Sequence, residues 1–425
     1  MRPQGLRIQV LLLAISVPWL AGSSKSSTAL AGEPGTDTGA AVWPQFLGPR
    51  RNNISTETRL LKQWPPAGLS LIGTIRGLGV GFSNIAVVDG TVYTMGNRGE
   101  RECVFAFALG RGDKVWEYDN AAAYHNGYGD GPRSTPTVDG ELLYALGASG
   151  DLICLERASG REVWKKNLVR EFGAGIPNWG ISESVLIDGD KVICTPGGRS
   201  ATMAAFDKKT GAVIWKSKTP QADQTAYASM IAVDAGGVPQ YVNFTATGVI
   251  GMRADNGKFL WRNDSSANGI ANCCAPLFAD GFVFTSSGYG KGSSLLALSS
   301  TGVKLKYHSN ELKVHHGGLV LFEGCVYGSN DNNWTCLDLK TGKVKWRDRS
   351  VGKGSLTCAD GHLYLRSEQG PVALVVADSS GYREVGRFTP GERSKSPAWT
   401  YPVVCGQKLF LRDQDLLQVY DIAEK

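Results

Sequence analysis

Nine side chains with chemically versatile groups lie in five polar, glycine-containing stretches of this 425-residue chain. These candidate ligand-binding residues are His125, Asp130, Arg133, Trp179, Cys273, Cys274, His315, His316 and Trp399. Imidazole groups could bind a metal or move a proton, an arginine could hold an anion through two hydrogen bonds, and tryptophans could stack on a flat ligand. Whether they act together depends on whether the fold brings them to one place.

Several of these residues also have an ordinary structural interpretation. His315 and His316 are adjacent, and neighbouring side chains of an extended segment point to opposite faces, which argues against joint binding of one metal. Asp130 lies between two glycines and is predicted to cap a turn rather than to act as a base or a calcium ligand. Arg133 could hold an anion or bond loop carbonyls, and Trp179 could stack on a ligand or pack beneath its loop. No metal site is predicted.

Composition and motifs exclude several functional classes. The chain has 45 Lys+Arg and 39 Asp+Glu, a formal net charge of +6, and no block of basic residues, which argues against nucleic-acid binding. Apolar residues make up 42% and glycine supplies 54 positions, a composition that favours a turn-dense all-β protein. The sequence contains no G-x-S-x-G, H-E-x-x-H, C-x-x-C or P-loop motif.

The first 31 residues have the pattern of a secretory signal peptide. Arg2 and Arg7 precede the apolar stretch 10–20, and the small residues 29–31 (Ala-Leu-Ala) follow. About 11 apolar residues are too few to cross a bilayer. We therefore expect export to the periplasm or the extracellular space, with no transmembrane span after cleavage. Nine cysteines form an odd set, which predicts at least one free thiol.

A unit of about 45 residues recurs through the chain. Each unit has an apolar strand, Asp-Gly or a substitute, a second strand, a glycine-containing turn, a third strand and then Gly-x-x-x-Trp. The first marker falls at Asp89, Asp139, Asp188, Asp234, Asp280, Glu323, Asp360 and Cys405. The second falls at Trp116, Trp164, Trp215, Trp261 and Trp346, with Lys306 in place of the missing tryptophan. Two independent markers therefore indicate one period.

This period predicts an all-β, eight-bladed β-propeller of four-stranded antiparallel blades. Asp-Gly between apolar strands favours a type I′ hairpin, because both central residues need φ above zero. The eighth unit supplies only three strands, so Leu69–Arg76 is expected to complete it and close the ring. Residues 69–425 then form a single domain, after an N-terminal arm at 32–68 that contains a short helix around Thr56–Lys62.

The same fold predicts where the candidate residues meet. In a propeller, the loops from the outer strand of one blade to the inner strand of the next gather at one end of the central channel. The nine candidate residues lie in five such loops, between residues 120 and 134, 171 and 182, 264 and 274, 310 and 318, and 390 and 399. His308 lies close to the fourth loop. The sequence therefore predicts a ring of polar and aromatic side chains at the channel mouth.

The repeat resembles that of PQQ-like (pyrrolo-quinoline quinone) β-propellers, which occur in quinoprotein dehydrogenases and in the bacterial outer-membrane protein assembly factor. A family of exported bacterial PQQ-like propeller proteins resembles the chain more closely, from residue 42 onward. The segments that carry this resemblance are Trp43–Pro49, Tyr128–Gly140, His315–Gly318, Ser350–Leu356 and Leu363–Gly370. The resemblance implies the quinoprotein alcohol dehydrogenase-like fold, but the family is named for its repeat rather than for a reaction.

The resemblance also raises PQQ with Ca²⁺ as cofactors. Alcohol-type quinoprotein dehydrogenases place a vicinal disulfide beside the PQQ plane, opposite a tryptophan, and Cys273-Cys274 lies in a channel-face loop. However, those enzymes are longer, and their calcium site of Glu, Asn and Asp has no recognisable counterpart here. The sequence does not decide whether the two cysteines are joined.

We therefore expect a binding or scaffolding module, monomeric, that recognises a protein, an envelope polymer or a small ligand at its channel-mouth loops. The alternative is a PQQ-dependent oxidoreductase similar to quinoprotein alcohol dehydrogenases. A third hypothesis is a hydrolase or lyase, which would require His125 or His315 within hydrogen-bond reach of a carboxylate.

Overall fold

The chain folds into eight antiparallel sheets that follow one another as the blades of a propeller. The computed structural model describes Met1 and residues 42–425, so the predicted signal peptide at residues 1–31 falls, apart from Met1, outside the described part. Each blade has four antiparallel strands, and one carries a fifth, parallel strand of two residues. The prediction of an all-β, eight-bladed propeller is confirmed.

The strands of the first half are as follows. The short strands β1 (Ile54–Ser55) and β2 (Leu71–Arg76) precede blade 1, which consists of β3 (Ala86–Val88), β4 (Thr91–Arg98), β5 (Arg101–Ala108) and β6 (Lys114–Ala122). Blade 2 has β7 (Thr137–Asp139), β8 (Leu142–Leu146), β9 (Asp151–Glu156) and β10 (Glu162–Asn167), followed by the helix α1 (Leu168–Phe172). Blade 3 has β11 (Leu186–Asp188), β12 (Lys191–Cys194), β13 (Met203–Asp207) and β14 (Val213–Ser217). Blade 4 has β15 (Ile231–Ala235), β16 (Val238–Phe244), β17 (Val249–Arg253) and β18 (Phe259–Asn263).

The second half repeats this order. Blade 5 has β19 (Leu277–Ala279), β20 (Phe282–Ser287), β21 (Gly292–Leu298) and β22 (Val303–Ser309). Blade 6 has β23 (Leu319–Phe322), β24 (Cys325–Ser329), β25 (Trp334–Asp338) and β26 (Val344–Asp348). Blade 7 has β27 (Gly354–Ala359), β28 (His362–Ser367), β29 (Val372–Val376) and β30 (Glu384–Phe388). Blade 8 has β31 (Val403–Cys405), β32 (Lys408–Asp413) and β33 (Leu416–Asp421).

The first strand of each blade lines the central channel, since the first strands of neighbouring blades, such as β3 and β7, contact one another. At the other edge of blade 8, β2 pairs antiparallel with β33 as the outer strand. The N-terminal strand therefore closes the ring, as predicted. Within the described residues, no helix is both long and apolar enough to span a bilayer.

The repeat tryptophans join the blades. A Cβ atom at Gly160 of blade 2 would lie 2.6 Å from the ring of Trp116 in blade 1, and Gly211 of blade 3 meets Trp164 of blade 2 in the same way. Trp116 also donates its indole N–H to the Arg157 carbonyl, at 2.9 Å. Only a residue without a Cβ allows the ring to pack this closely, which explains the glycine in Gly-x-x-x-Trp.

Blade 5 departs from the predicted position of its repeat residue. Tyr307, rather than Lys306, packs its ring against Gly342 of the next blade. Its hydroxyl donates to the Leu339 carbonyl at 2.7 Å, which corresponds to the indole bonds of Trp116, Trp164 and Trp346 to a carbonyl of the next blade. A tyrosine one position further along thus replaces the missing tryptophan.

The inner hairpins use two turn types. Asp89-Gly90 has φ of 49° and 71°, as the predicted type I′ turn requires. Asp139 instead ends its strand and pairs with Leu142, so Gly140 is the first central residue. Asp188 likewise ends its strand and pairs with Lys191, so Gly189 is the first central residue of that turn. The type I′ prediction is therefore wrong at Asp139 and Asp188, where glycine alone supplies the positive φ of a type II′ turn.

The predicted helix around Thr56–Lys62 is absent. Arg59 has a φ of 56°, which is not helical, and Leu60 forms an isolated bridge with Ala423. The Leu60 N–H donates to the Asp360 carboxylate at 3.0 Å. Contacts with blades 7 and 8 therefore replace the hydrogen bonds within a helix, and the prediction is wrong.

The segment Trp43–Ser55, which lies within the predicted N-terminal arm, crosses the central channel. We name it the channel stopper. Its β1 pairs in parallel with the free inner edge of β27 in blade 7, while Arg51 bonds backbone carbonyls of blades 3 and 4 on the opposite side of the ring. Its hydrogen-bonding partners belong to blades 1, 2, 3, 4, 7 and 8: Val87, Val138, Ser184, Val185, Met230, Leu356, Cys358 and Val404.

Candidate functional site

A cavity of about 490 Å³ opens at the channel mouth. Seven of the eight loops that lead into inner strands contribute to its wall, together with Phe46 of the channel stopper and Tyr289 of the β20–β21 turn. The lining residues are Phe46, Phe82, Asn84, Tyr128, Arg133, Trp179, Ser182, Tyr227, Ile270, Ala271, Cys273, Tyr289, His315, His316, Trp399, Thr400 and Tyr401. They include eight aromatic rings beside the two imidazoles, and no Asp or Glu.

The structure brings together six of the nine candidate residues predicted from sequence. Those that line the cavity are Arg133, Trp179, Cys273, His315, His316 and Trp399. His125, Asp130 and Cys274 do not line it: the first two lie on the exposed part of their mouth loop, and Cys274 is buried behind the wall. His308 lies on the outer strand β22, where Nδ1 bonds Ser294. A role of the six in ligand binding remains a prediction.

His125 and Asp130 form a hydrogen bond on the exposed rim of their loop. Nδ1 of His125 lies 2.9 Å from Asp130 Oδ2, and the side chains are 57% and 40% exposed. Asp130 Oδ1 also accepts the Asn126 N–H at 2.8 Å, so it caps a turn as predicted. The hydrogen bond to Asp130 raises the pKa of His125, and the same bond lowers the pKa of Asp130.

Arg133 bonds its own loop and also faces the cavity. Its guanidinium donates to the carbonyls of Gly131 and Gly129, both at 2.9 Å. The same group lies 5.3 Å from the centre of the Phe82 ring and 5.8 Å from that of Tyr124. Burial lowers its pKa. Among the described residues it forms no ion pair, although the Asp130 carboxylate of the same loop acts on it and partly opposes the lowering of its pKa by burial. Its direct contacts are carbonyl dipoles and aromatic faces.

His315 and His316 both face the cavity, contrary to the expectation that one would point away. Their segment bends at residues 315–317 instead of being extended, and the two ring centres lie 4.5 Å apart. The bend depends on the next glycine pair. A Cβ at Gly317 would collide with the Gly354 carbonyl, and one at Gly318 with the Tyr401 ring.

A lysine and a glutamate contact the histidines from behind. Lys353 Nζ lies 2.8 Å from His315 Nδ1, and His316 Nε2 lies 2.9 Å from Glu368 Oε1. Lys353 also lies 3.5 Å from the same Glu368 oxygen. Burial, followed by His316 and Lys353, lowers the pKa of His315 to about 4. An ammonium can only donate, so the neutral His315 accepts at Nδ1 and carries its proton on Nε2.

Aromatic rings pack against one another around the cavity. Trp399 lies 4.6 Å from Phe82 and 5.0 Å from His316, measured between ring centres. Trp179 makes edge contacts with Tyr128 and Tyr227, at 5.9 and 5.5 Å. Both tryptophans are half-buried, so they pack within the loops and still present part of their surface to the cavity.

Cys273 lines the cavity, whereas Cys274 is buried behind it in the core of blades 5 and 6. All nine cysteines are free thiols in the structure, including this pair. Burial raises the pKa of Cys273 to about 12. The neighbouring cations Lys353 and Arg133 oppose that rise without reversing it. The thiol is therefore protonated and poorly reactive near neutral pH.

Two buried arginines hold the mouth loops in place where the ring closes. Arg412 of blade 8 donates to the Ser83 and Gly79 carbonyls, at 2.6 and 3.1 Å, in the loop that leads into blade 1. Arg366 of blade 7 donates to the Thr400 hydroxyl at 2.6 Å. Burial lowers their pKa values to about 9 and about 10. Both bond acceptors across a blade boundary, so the cavity wall is fixed by the propeller.

The five segments that resemble exported PQQ-like propellers meet at this cavity. The first contributes Phe46, the second Tyr128 and Arg133, and the third both histidines. The remaining two supply Lys353 and Glu368, which contact those histidines. Sequence reasoning missed Phe46, Lys353 and Glu368 as site residues, although each lies in a segment that carries the resemblance.

The donor set around the cavity does not suit a calcium ion. Ca²⁺ takes six to eight oxygen ligands, carboxylates among them, and the lining contains no carboxylate. In the described chain, one cluster of three potential metal ligands exists, Cys103, Glu117 and Asp119 on the outer strands of blade 1. Arg98 and Lys114 already pair with Glu117 there.

The chain matches a known family over most of its blades. Residues 100–348, more than half of the chain, match the PQQ-repeat family described as "Outer membrane protein assembly factor BamB". The chain belongs to this PQQ-like propeller family. A comparison with curated proteins gives no match.

Solved structures share the propeller at low sequence identity. BamB from Moraxella catarrhalis is 16% identical, with a TM-score of 0.61 over 83% of this chain and 100% of that one. Quinohemoprotein alcohol dehydrogenase from Comamonas testosteroni is 12% identical, with a TM-score of 0.67 over 90% of this chain and 80% of that one. These likenesses show that PQQ-like propellers of both kinds have the same fold as this chain.

Proposed function

We propose that this protein is an exported binding module whose mouth cavity holds a small ligand that contains a flat ring and an acidic group. The observation that carries the proposal is the Arg133 guanidinium, which faces an aromatic cavity and forms no ion pair among the described residues. Taking a charge out of water is costly unless an opposite charge compensates it. An anionic group of the ligand would supply a direct ion pair, which the nearby Asp130 carboxylate does not form with Arg133.

The aromatic wall of the cavity is the reason for proposing a flat ring in the ligand. Eight aromatic rings surround a space of about 490 Å³, which lies in the range of small-molecule sites, about 300–1,000 Å³. Aromatic faces and edges favour flat rings over branched chains. His315 adds a directional contact, because its Nε2 carries the proton and can donate to an oxygen of the ligand.

A charge-matched pair of probes tests the proposal. We expect 1-naphthoate to quench tryptophan fluorescence and uncharged 1-naphthamide to bind more weakly. Arg133→Met should lower the affinity for naphthoate about tenfold, near 1.4 kcal/mol, and change that for naphthamide little. Arg101→Met, an exposed arginine on blade 1, is the control. Absence of naphthoate binding, or equal loss for both probes, would contradict the proposal.

The quinoprotein alternative has one observation in its favour, the presence of Cys273, Trp179 and Trp399 around one cavity. PQQ is itself flat and acidic, so it falls within the proposed ligand class. The lining does not fit Ca²⁺, and no redox step is assigned. The expected result is that PQQ raises the melting midpoint equally with and without Ca²⁺; a shift that needs Ca²⁺ would favour the dehydrogenase hypothesis.

A partner protein or an envelope polymer is the other candidate at the same loops. The rim exposes apolar side chains, with Tyr128 at 71%, Ile270 at 53% and Ile176 at 48%. Such rims are typical of contact surfaces, and the described family includes an assembly factor. If Ile176→Ser, at a rim residue outside the cavity lining, abolishes binding of a pull-down partner but leaves naphthoate binding intact, the rim and the cavity serve different ligands.

A further inference from the structure

We propose that Phe46 of the channel stopper is a specificity-determining contact that limits how large a ring system the mouth cavity accepts. The inference rests on the proposed function. Phe46 is the lining residue that comes from outside the blades. All other lining residues lie in blade loops or turns, so the stopper closes the cavity on the side of the channel.

The position of Phe46 is fixed from both sides. Its ring meets Tyr401 edge-on, at 5.4 Å and 83°, and the following Leu47 packs with Ala275 and Tyr401. Tyr401 in turn donates its hydroxyl to the His316 carbonyl at 2.9 Å. The ring of Phe46 therefore packs against a tyrosine whose own position is fixed by the bond to the His316 carbonyl.

The backbone around Phe46 is equally constrained. Leu47 and Gly48 both have positive φ, 62° and 78°, and a Cβ at Gly48 would lie 2.9 Å from the Trp43 ring. Trp43 exchanges two hydrogen bonds with Val87, each 2.8 Å. Arg51 anchors the other side with four hydrogen bonds. The channel stopper is therefore held in a fixed position within the channel, where it limits the depth of the cavity.

The apolar side chain of Phe46 is suited to limiting the size of the ligand's ring system. Phe46 offers a hydrocarbon ring with no donor or acceptor, so it can contact a flat ligand but cannot anchor its acidic group. Removing the ring should add room toward the channel and leave Arg133 and His315 in place. The variant should then accept larger ring systems with the same charge.

A series of aromatic carboxylates with two, three and four fused rings tests this inference: 1-naphthoate, 9-anthroate and 1-pyrenecarboxylate. We expect the wild-type protein to bind naphthoate best, and Phe46→Ala to improve pyrenecarboxylate about tenfold relative to naphthoate. Tyr289→Ala removes another lining ring, at the exposed rim, and should weaken all three probes without changing their order. Phe46→Leu, which keeps most of the volume, guards against loss of folding in Phe46→Ala.

The outcomes separate this inference from the proposed function. If the wild-type protein binds none of the three carboxylates, the proposed ligand class fails and the role of Phe46 falls with it. If the wild-type protein binds them and both Phe46 variants keep the wild-type order of affinities, the role of Phe46 alone is overturned. The melting midpoint of each variant shows whether it is folded.

Discussion

The junction between blades 1 and 2 is built differently at the two ends of the channel. At the mouth end, the carboxyl of Glu102 is buried and accepts hydrogen bonds from the Asn120 amide and the Ala148 N–H, at 3.2 and 3.1 Å. At the far end, Asp89 in a two-residue hairpin pairs with Arg157 of the next blade at 2.7 Å, with 56% of its side chain exposed. The first carboxyl has no ion pair among the described residues, and the second has one.

The difference reflects the length of the connections. Far-end hairpins have two central residues, and a charge on one blade reaches the next directly, as Lys208 of blade 3 also does with Asp139 of blade 2. Mouth loops are longer, and a buried polar group such as Glu102 bonds the next blade there, while the channel stopper crosses the channel. The mouth thus contains buried or half-buried ionisable groups that form no ion pair among the described residues, Glu102 and Arg133, and the second of these suits it to an anionic ligand.

The largest effect is expected from Arg51→Met in the channel stopper. Arg51 is fully buried and donates to the carbonyls of Met230, Val185 and Ser184, which precede inner strands. Its loss leaves these buried acceptors without partners, and each costs about 1–3 kcal/mol. We expect the free energy of unfolding to fall by about 3–5 kcal/mol in urea denaturation.

The adjacent arginine provides the control for that prediction. Arg50 is exposed, so Arg50→Met should change the free energy of unfolding by less than about 0.5 kcal/mol. If both variants lose equally little free energy of unfolding, the channel stopper does not stabilise the mouth end. The difference between the two ends would then depend on the blades alone.

A smaller effect, visible only as a pH dependence, is expected at Glu102. Burial raises the pKa of its carboxyl from 4.5 to about 7. Above pH 4.5 the unfolded chain releases this proton while the folded protein retains it. The free energy of unfolding is therefore highest below pH 4.5 and falls as the pH rises to 7. Glu102→Gln should remove up to about 3 kcal/mol of that loss, measured by urea denaturation at pH 5 and pH 8.

The surroundings of Glu102 can accept the amide. Asn120 Oδ1 is buried and has no hydrogen-bond partner, and the side-chain NH₂ group that Glu102→Gln introduces could donate to it. Glu141→Gln, at a side chain that is 85% exposed, should leave the pH dependence unchanged. An unchanged slope in Glu102→Gln would mean that this carboxyl ionises inside the fold at pH 5, as an exposed one does.

These two regions also show how far the sequence alone reaches. The period, the turn glycines and the tryptophans predicted eight blades and closure by Leu69–Arg76, because each depends on local chemistry repeated many times. The type II′ turns at Asp139 and Asp188 were missed because Asp-Gly is compatible with both registers of a two-residue hairpin. A repeated signal predicts the unit better than it predicts the exact residue in each copy.

The site was predicted less completely, because its loops do not repeat. Loop position alone located Arg133, Trp179 and His315 at the mouth. Phe46 was missed, because the course of Trp43–Ser55 is set by contacts with distant blades rather than by its own residues. Tyr289 was missed because a single aromatic residue in a turn does not differ in sequence from one in the core.

The smallest effect is expected from Asp89→Asn at the far end. Asparagine tolerates the φ of 49° as well as aspartate does, so the hairpin should persist while the ion pair with Arg157 is lost. Exposed pairs contribute about 0.2–1 kcal/mol, and salt screens them, so the free energy of unfolding should fall by less than about 1 kcal/mol, and by less still in 1 M NaCl. A loss above about 2 kcal/mol that persists in high salt would show that the far-end pairs hold the ring as strongly as the buried groups of the mouth do. The length of the connections between blades would then not explain why Glu102 and Arg133 at the mouth form no ion pair.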